Sequence, residues 1–339
     1  MPTPLLQVTN LSIALPTAQG PVQAVRDLSF SLERGQTLGL VGESGSGKSL
    51  TALALLGLLP QGAQVRGSIR LHGQELLGLP DAALCRIRGQ RLAMVFQEPM
   101  TALNPLHRIG DQVAEPLRLH QGLGRAAARQ QALALLKRVG LPEAAQRLDS
   151  YPHEFSGGQR QRITIAMALA CGPEVLIADE PTTALDVVLQ QQILQLLQDV
   201  AAERGMALLL ISHDLGLIAQ NTDQMLVLYG GTVLESGPTT AVFAHLAHPY
   251  TRALLAARPV LGAHSRLRQR LPAIAGSLPA LADRPLGCPF AGRCEFTLAA
   301  CQREAPGVQT LSEDGHSVRC LRIEATPSST PGQKAWRLR

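Results

Sequence analysis

TLGLVGESGSGKSLTALALLGLLP, residues 37–60, decides how the rest of this chain is read. Its centre, GESGSGKS at 42–49, fits the pattern G-x-x-x-x-G-K-[ST]. The preceding TLGLV is a short apolar run of strand character, and SLTALALLGLLP (49–60) predicts a buried helix ending at Pro60. Gly42, Gly45 and Gly47 permit the backbone angles that turn successive N–H groups toward phosphate oxygens, and Ser44 lies in the same cradle. The N-terminus of the helix adds partial positive charge. Lys48 is placed for the outer phosphates of a nucleotide, and the Ser49 hydroxyl for Mg²⁺. Only three of the chain's 31 basic Lys and Arg residues are lysine (Lys48, Lys137 and Lys334), so finding one at that slot carries weight.

A second half of the site follows at EVLIADEPT, residues 174–182. Val175 to Ala178 form an apolar run suited to a buried parallel strand. Asp179 and Glu180 emerge at its carboxyl end, where open α/β sheets bind ligands. Asp179 suits Mg²⁺, and Glu180 suits the orientation or activation of an attacking water. ALLLISHDLG (207–216) repeats the pattern and ends its run at His213, which alone is as readily structural as catalytic. Between the two runs, Leu189, Ile193, Leu196, Leu197 and Val200 give 186–205 one apolar helix face. Strand, helix and strand in this order predict a parallel, doubly wound α/β sheet. QMLVLYGGTVLESG (224–237) predicts a hairpin around Gly230 and Gly231.

Composition narrows the partners. The 339 residues are 45% apolar and 17% charged, with a net charge of +5. No run reaches the roughly 18 apolar residues of a membrane-spanning helix, and the first residues lack a basic-then-apolar secretory design. The expectation is a cytosolic chain in which structural disulfides are disfavoured. With one Trp, three Tyr and six Phe, there is no basic-aromatic stripe for stacking bases, so nucleic acid is not expected.

FSGGQRQR (155–162), taken in order with GESGSGKS, VFQEP, ADEPTTALD and ISHD, resembles the ABC-type ATPases over roughly residues 6–255. The resemblance implies a P-loop ABC ATPase with a RecA-like core, an antiparallel β subdomain and a helical subdomain at about 105–165. It implies that Gln97 is the Q-loop glutamine, touching Mg²⁺ and the attacking water, and that His213 contacts the γ-phosphate. Ser156, Gly157, Gly158 and Gln159 match the family's glycine-rich turn, which covers ATP bound to a second subunit, and Asp186 closes the D-loop. One cassette in the chain therefore implies a second ABC ATPase subunit, a related chain in preference to a second copy. Leu15 stands about where the family places an adenine-stacking aromatic, which leaves adenine to aliphatic surface.

YPHEFSGGQRQR, FQEPMTALNPLHRIGDQ and HPYT (248–251) resemble the ATP-binding subunits of oligopeptide, dipeptide and nickel importers. That implies two transmembrane permeases, an extracytoplasmic substrate-binding protein and a peripheral position on the cytoplasmic face of the inner membrane. Peptide import is the leading expectation, with nickel or a metal chelate as the alternative substrate. A soluble ABC ATPase acting on nucleic acid or ribosomes is the alternative of another class. Residues 1–255 form the nucleotide-binding domain on this reading, and 256–339 the family's C-terminal extension, seen in PLGCPFAGRC (285–294).

Four of the six cysteines crowd into that extension, spaced Cys288-x5-Cys294-x6-Cys301-x18-Cys320. The tight C-x₂₋₄-C knuckles of structural zinc are absent, while iron–sulfur clusters accept wider loops. The resemblance implies a [4Fe–4S] cluster, as some peptide-importer subunits carry, with zinc or no metal as alternatives. Cys85 and Cys171 stand alone and are expected to be buried.

Overall fold

The computed structural model describes residues 4–183, 185–258 and 272–323. The N-terminal part of the extension (259–271) and the last residues (324–339) lie outside them.

The chain opens with a long hairpin, β1 (Leu6–Thr17) and β2 (Gly20–Leu32), before β3 (Thr37–Val41) and α1 (Lys48–Leu55). β4 (Gln64–Leu71), β5 (Gln74–Glu75), α2 (Asp81–Ile87) and β6 (Leu92–Val95) follow. The helices α3 (Pro99–Ala102), α4 (Ile109–Gln121), α5 (Arg125–Arg138) and α6 (Gly157–Ala168) then interrupt the strands. β7 (Val175–Asp179), α7 (Val187–Arg204), β8 (Ala207–Ser212), α8 (Leu215–Asn221), β9 (Gln224–Tyr229) and β10 (Thr232–Pro238) return to an alternating order. The chain closes with α9 (Thr239–Ala244), α10 (Pro249–Ala256), α11 (Ala299–Arg303), β11 (Gln309–Thr310) and β12 (Ser317–Val318).

Two sheets result. The central sheet runs β11-β12-β10-β9-β3-β8-β7-β6, and its segment from β9 to β6 is parallel. A smaller antiparallel sheet, β2-β1-β4-β5, packs on one face. The strands explain the stacking through their period of two. Val175 and Ile177 of β7, with Leu209 and Ile211 of β8, face the antiparallel sheet and join Leu6, Leu28 and Ile69. Leu176, Ala178, Leu208 and Leu210 face the other way, into a core shared with α4, α5, α6 and α7. Burial on both faces is why the runs read as continuously apolar.

Helix boundaries follow local chemistry. Asp186 caps α7 by accepting from the N–H groups of Val188 and Leu189, and Gly205 ends it in the left-handed region at φ 59°. α1 is shorter than the sequence suggests: it stops at Leu55, and Gly57 turns the chain at φ 63° before Pro60 is reached. The hairpin at Gly230 and Gly231 forms as read. Its second strand does more than the pattern shows, since β12 of the extension pairs with β10 and makes the extension an edge of the central sheet. Cys85 corrects the expectation of burial: it is exposed on α2, while Cys171 is half-buried. Among the described residues, no helix is long and apolar enough to cross a membrane.

Candidate functional site: a phosphate cradle and a strand-end carboxylate pair

The loop between β3 and α1 takes the shape its glycines allow. Gly45 and Gly47 sit at φ 78° and 103°, a region that residues with a Cβ rarely adopt. Gly42 is required for space, because a Cβ there would lie 2.1 Å from the Leu228 carbonyl oxygen. Gly47 precedes α1, whose first residues are Lys48 and Ser49. The Lys48 ammonium is buried and donates to the carbonyls of Gly42 and Glu43 at 2.8 and 3.0 Å. Burial pushes its pKa below the ordinary lysine value, while Glu180, Asp179 and Glu43 hold the charge on it. Ser44 and Gly45 remain exposed at the mouth of the cradle.

Asp179 closes β7 and is buried beside this loop. The Ser49 hydroxyl hydrogen-bonds to its carboxylate, which burial raises above the usual range. Its Oδ1 has no hydrogen-bond partner among the described residues. An anionic oxygen left without a partner beside a serine hydroxyl fits Mg²⁺, a hard cation that selects oxygen ligands.

Glu180 is the most constrained residue of the site. It takes φ 47°, uncommon for a residue with a side chain, and its N–H is tied to the Ile211 carbonyl at 3.0 Å. Three groups converge on its Oε2: Gln97 Nε2 at 3.2 Å, His213 Nδ1 at 3.2 Å and the Thr183 hydroxyl at 3.0 Å. Gln97 and His213 are therefore brought to the carboxylate that the sequence assigns to water. Thr183 is a residue that sequence reading misses, although its hydroxyl three positions after Glu180 was there to be seen.

The Glu180–His213 contact has a pH signature. The hydrogen bond from His213 holds the Glu180 carboxyl below its ordinary value, and the same bond raises His213. The interaction is present between those two values: it is lost as pH falls through the lowered Glu180 pKa, and as pH rises through the raised His213 pKa. In an NMR titration of the ring, His213 should titrate above the ordinary ~6.5. In Glu180→Gln its midpoint should fall back, and an unchanged midpoint would show that the pair does not form in solution.

The second glycine turn forms a separate group. Ser156 caps α6 by accepting from the Gln159 N–H, while the Gln159 side chain accepts from the Ser156 N–H at 3.0 Å. Gly158 is buried, and a Cβ there would stand 3.0 Å from the Leu189 side chain of α7. Ser156 and Gly157 are exposed, as is Asp186 at the head of α7. Val187 and Val188 beside it are 70% and 63% exposed, which leaves an apolar pair on the surface next to the turn.

Leu15, at the place of the missing aromatic, is half-buried on β1 and pairs with Val22. A groove of about 550 Å³ opens between the central sheet and the helical layer, lined by Leu58, Met94, Phe96, Pro116, Thr164 and Met167 among others. In the extension, Cys288, Cys294, Cys301 and Cys320 all line one small cavity with His248 and Phe296. All six cysteines are free. Burial pushes the Cys288 thiol up to about 12 and also raises Cys294 and Cys320. Among the described residues, no three His, Cys, Asp or Glu side chains are drawn in around a single ion.

A parallel P-loop sheet carrying an antiparallel layer on one face and a helical layer on the other, with a carboxylate pair at the end of a central strand, is the build of an ATP-binding cassette. The ABC transporter family matches residues 25–183, and the oligopeptide/dipeptide transporter C-terminal region matches 234–301. The chain belongs to the ABC transporter ATPases of the oligopeptide/dipeptide type. A protein of Brucella abortus with the provisional name peptide import ATP-binding protein is 46% identical over 94% of this chain and 97% of its own. A Brucella suis protein with the same provisional name is 49% identical over 94% of each. A dimeric ATP-binding cassette solved in a post-hydrolysis state with ADP and Pi superposes at a TM-score of 0.62, with 27% identity, over 69% of this chain and 98% of that one. The cbiO1 cassette of Clostridium perfringens, part of an ABC transporter complex, gives 0.60 and 26% over 72% and 92%.

Proposed function

We propose that this ATPase drives the import of di- or oligopeptides, as one of two cassettes beneath a pair of permease subunits on the cytoplasmic face of the membrane. The observation that carries the hydrolytic half is the convergence of Gln97, Thr183 and His213 on Glu180. The N–H groups of the 42–49 loop and Lys48 bind the triphosphate tail. Ser49, Asp179 and Gln97 would hold Mg²⁺, which would supply positive charge against the phosphates. Glu180 orients the attacking water and accepts its proton, and Gln97 and His213 keep the carboxylate aimed. The Ser156–Gln159 turn, exposed at Ser156 and Gly157, offers its helix N-terminus to ATP on the second cassette, so hydrolysis and dimer closure are one cycle. A related chain, rather than a second copy, fills that role.

The groove beside Phe96 suits the permease. It is apolar, it opens between the two layers that carry Gln97 and the Ser156 turn, and Phe96 itself is exposed one residue before Gln97. A permease segment seated there would move both catalytic groups. Purification of the tagged chain from membranes should bring two permeases and a second cassette, and vesicles of that complex should hydrolyse ATP faster with peptide-loaded binding protein. Co-purification with ribosomes or nucleic acid, without permeases, would overturn the transport reading.

For the extension's thiols we propose a [4Fe–4S] cluster on the strength of the family resemblance, since among the described residues no three donors surround a single ion. What supports the reading is that all four cysteines line one apolar cavity, with sequence spacings wider than the knuckles of structural zinc. Cys288, Cys294, Cys301 and Cys320 would hold the cluster, which would supply positive charge that brings buried thiols to thiolates. Anaerobically purified protein should be brown with about four irons per chain. Each Cys→Ser change should bleach it. Stoichiometric zinc in colourless protein, or failed reconstitution with iron and sulfide, would refute the cluster.

A further inference from the structure

The cysteine extension reaches back to the phosphate loop and grips it at Glu43, the second residue of the glycine-rich motif. Tyr250 of the HPYT stretch is fully buried, and its phenol oxygen accepts the Glu43 backbone N–H at 2.9 Å. Arg293, the residue before Cys294, donates to the Glu43 carboxylate at 2.6 Å, and its side chain is only 8% exposed. The same guanidinium donates to the Tyr229 hydroxyl at 3.2 Å and to the carbonyls of Ala275 and Ile274. Arg284 adds a hydrogen bond to the Gly45 carbonyl at 3.1 Å. Residues 207 to 250 positions downstream thus hold the loop by a backbone N–H, a carboxylate and a carbonyl.

The loop has reason to be held. Its glycines leave it conformationally free, and every backbone torsion that must be fixed when phosphate binds costs affinity. The Glu43 carbonyl also receives the Lys48 ammonium at 3.0 Å, so the position of Glu43 sets that of Lys48. We propose that Arg293 is a positioning residue of the nucleotide site: through Glu43 it preorganises the phosphate loop and Lys48 for the triphosphate. The extension is then part of the ATP site as well as a container for thiols. The inference rests on the reading of Lys48 as a phosphate ligand.

The test is a double-mutant cycle on the full chain, with a fluorescent ATP analogue for Kd and the permease complex for KM and kcat. Arg293→Gln should raise Kd and KM about tenfold, within the usual range of coupling between sites. Its kcat at saturating ATP should change by less than about twofold, since only ordering of the empty loop is lost. Glu43→Gln should act in the same direction, Arg293→Lys should recover part of the affinity, and the double variant should be no worse than Arg293→Gln. An unchanged Kd in Arg293→Gln, or effects that simply add, would overturn the proposal, because a merely structural arginine shifts thermal stability without coupling to Glu43. Should Arg293→Gln fail to fold, Glu43→Gln decides the matter, since it leaves the bonds from Arg293 to Tyr229, Ala275 and Ile274 in place. Lys48→Ala separates the two readings. If it binds ATP normally, the nucleotide site itself is misplaced. If it abolishes binding while Arg293→Gln leaves Kd unchanged, only the role of Arg293 falls.

Discussion

Glu180→Gln should bind ATP as the parent does and lose on the order of 10²–10⁴-fold in turnover, the usual worth of a positioned general base. The substitution keeps the shape of a side chain whose backbone is already held at φ 47°. The amide can still meet the Thr183 hydroxyl, but it cannot take a proton from water. In the proposed cycle, binding and closure rest on the 42–49 loop and Lys48, so ATP should accumulate unhydrolysed between two cassettes. Size-exclusion chromatography with and without ATP would show the trapped dimer, and phosphate release would show the lost step. The measurement needs the partner's own site disabled. Near-normal hydrolysis in that setting would remove Glu180 from its role.

Ser156→Arg should leave nucleotide binding to the isolated chain intact, while turnover in the assembled complex falls by on the order of 10²–10³, as when a donor aimed at reaction charge is removed. Ser156 and Gly157 are exposed, so the larger side chain can be accommodated in the isolated chain. It would stand where the second cassette's nucleotide has to approach the N-terminus of α6. Ser156 also caps that helix, and losing the cap costs about 1 kcal/mol by itself. Ser156→Ala is the control: it removes the cap without blocking the approach and should retain far more turnover. Equal losses in both variants would reduce Ser156 to a helix cap, and a fully active Ser156→Arg complex would end the assignment.

Much of this site is written in short spans of sequence. The Lys48 loop, the Asp179–Glu180 strand end, the Asp186 cap and the Ser156 turn each depend on backbone angles and hydrogen bonds within a few residues. A glycine that must adopt φ above zero, or a serine that must cap a helix, declares itself by type and spacing. Gln97 and His213 were singled out through family resemblance alone, because neither residue type at its position specifies a role, and the structure sets both against Glu180. The end of α1 was misjudged for a local reason too: Pro60 is a stronger mark in sequence, but Gly57 turns the chain first.

The tertiary structure alone decided which distant pieces meet. That strand faces alternate between two cores emerges only once β7 and β8 are sandwiched, because a strand buried on both sides has no polar face to betray its period. The shared cavity of Cys288, Cys294, Cys301 and Cys320 depends on β12 pairing with β10, a contact between residues some 80 apart. Tyr250 and Arg293 reach Glu43 across 207 and 250 residues, and no local pattern marks either side chain for that contact. Spacing in sequence encodes the geometry of a turn or a cap. Contacts over hundreds of residues are set by how whole sheets and layers pack, so the grip of the extension on the phosphate loop became visible only in the folded chain.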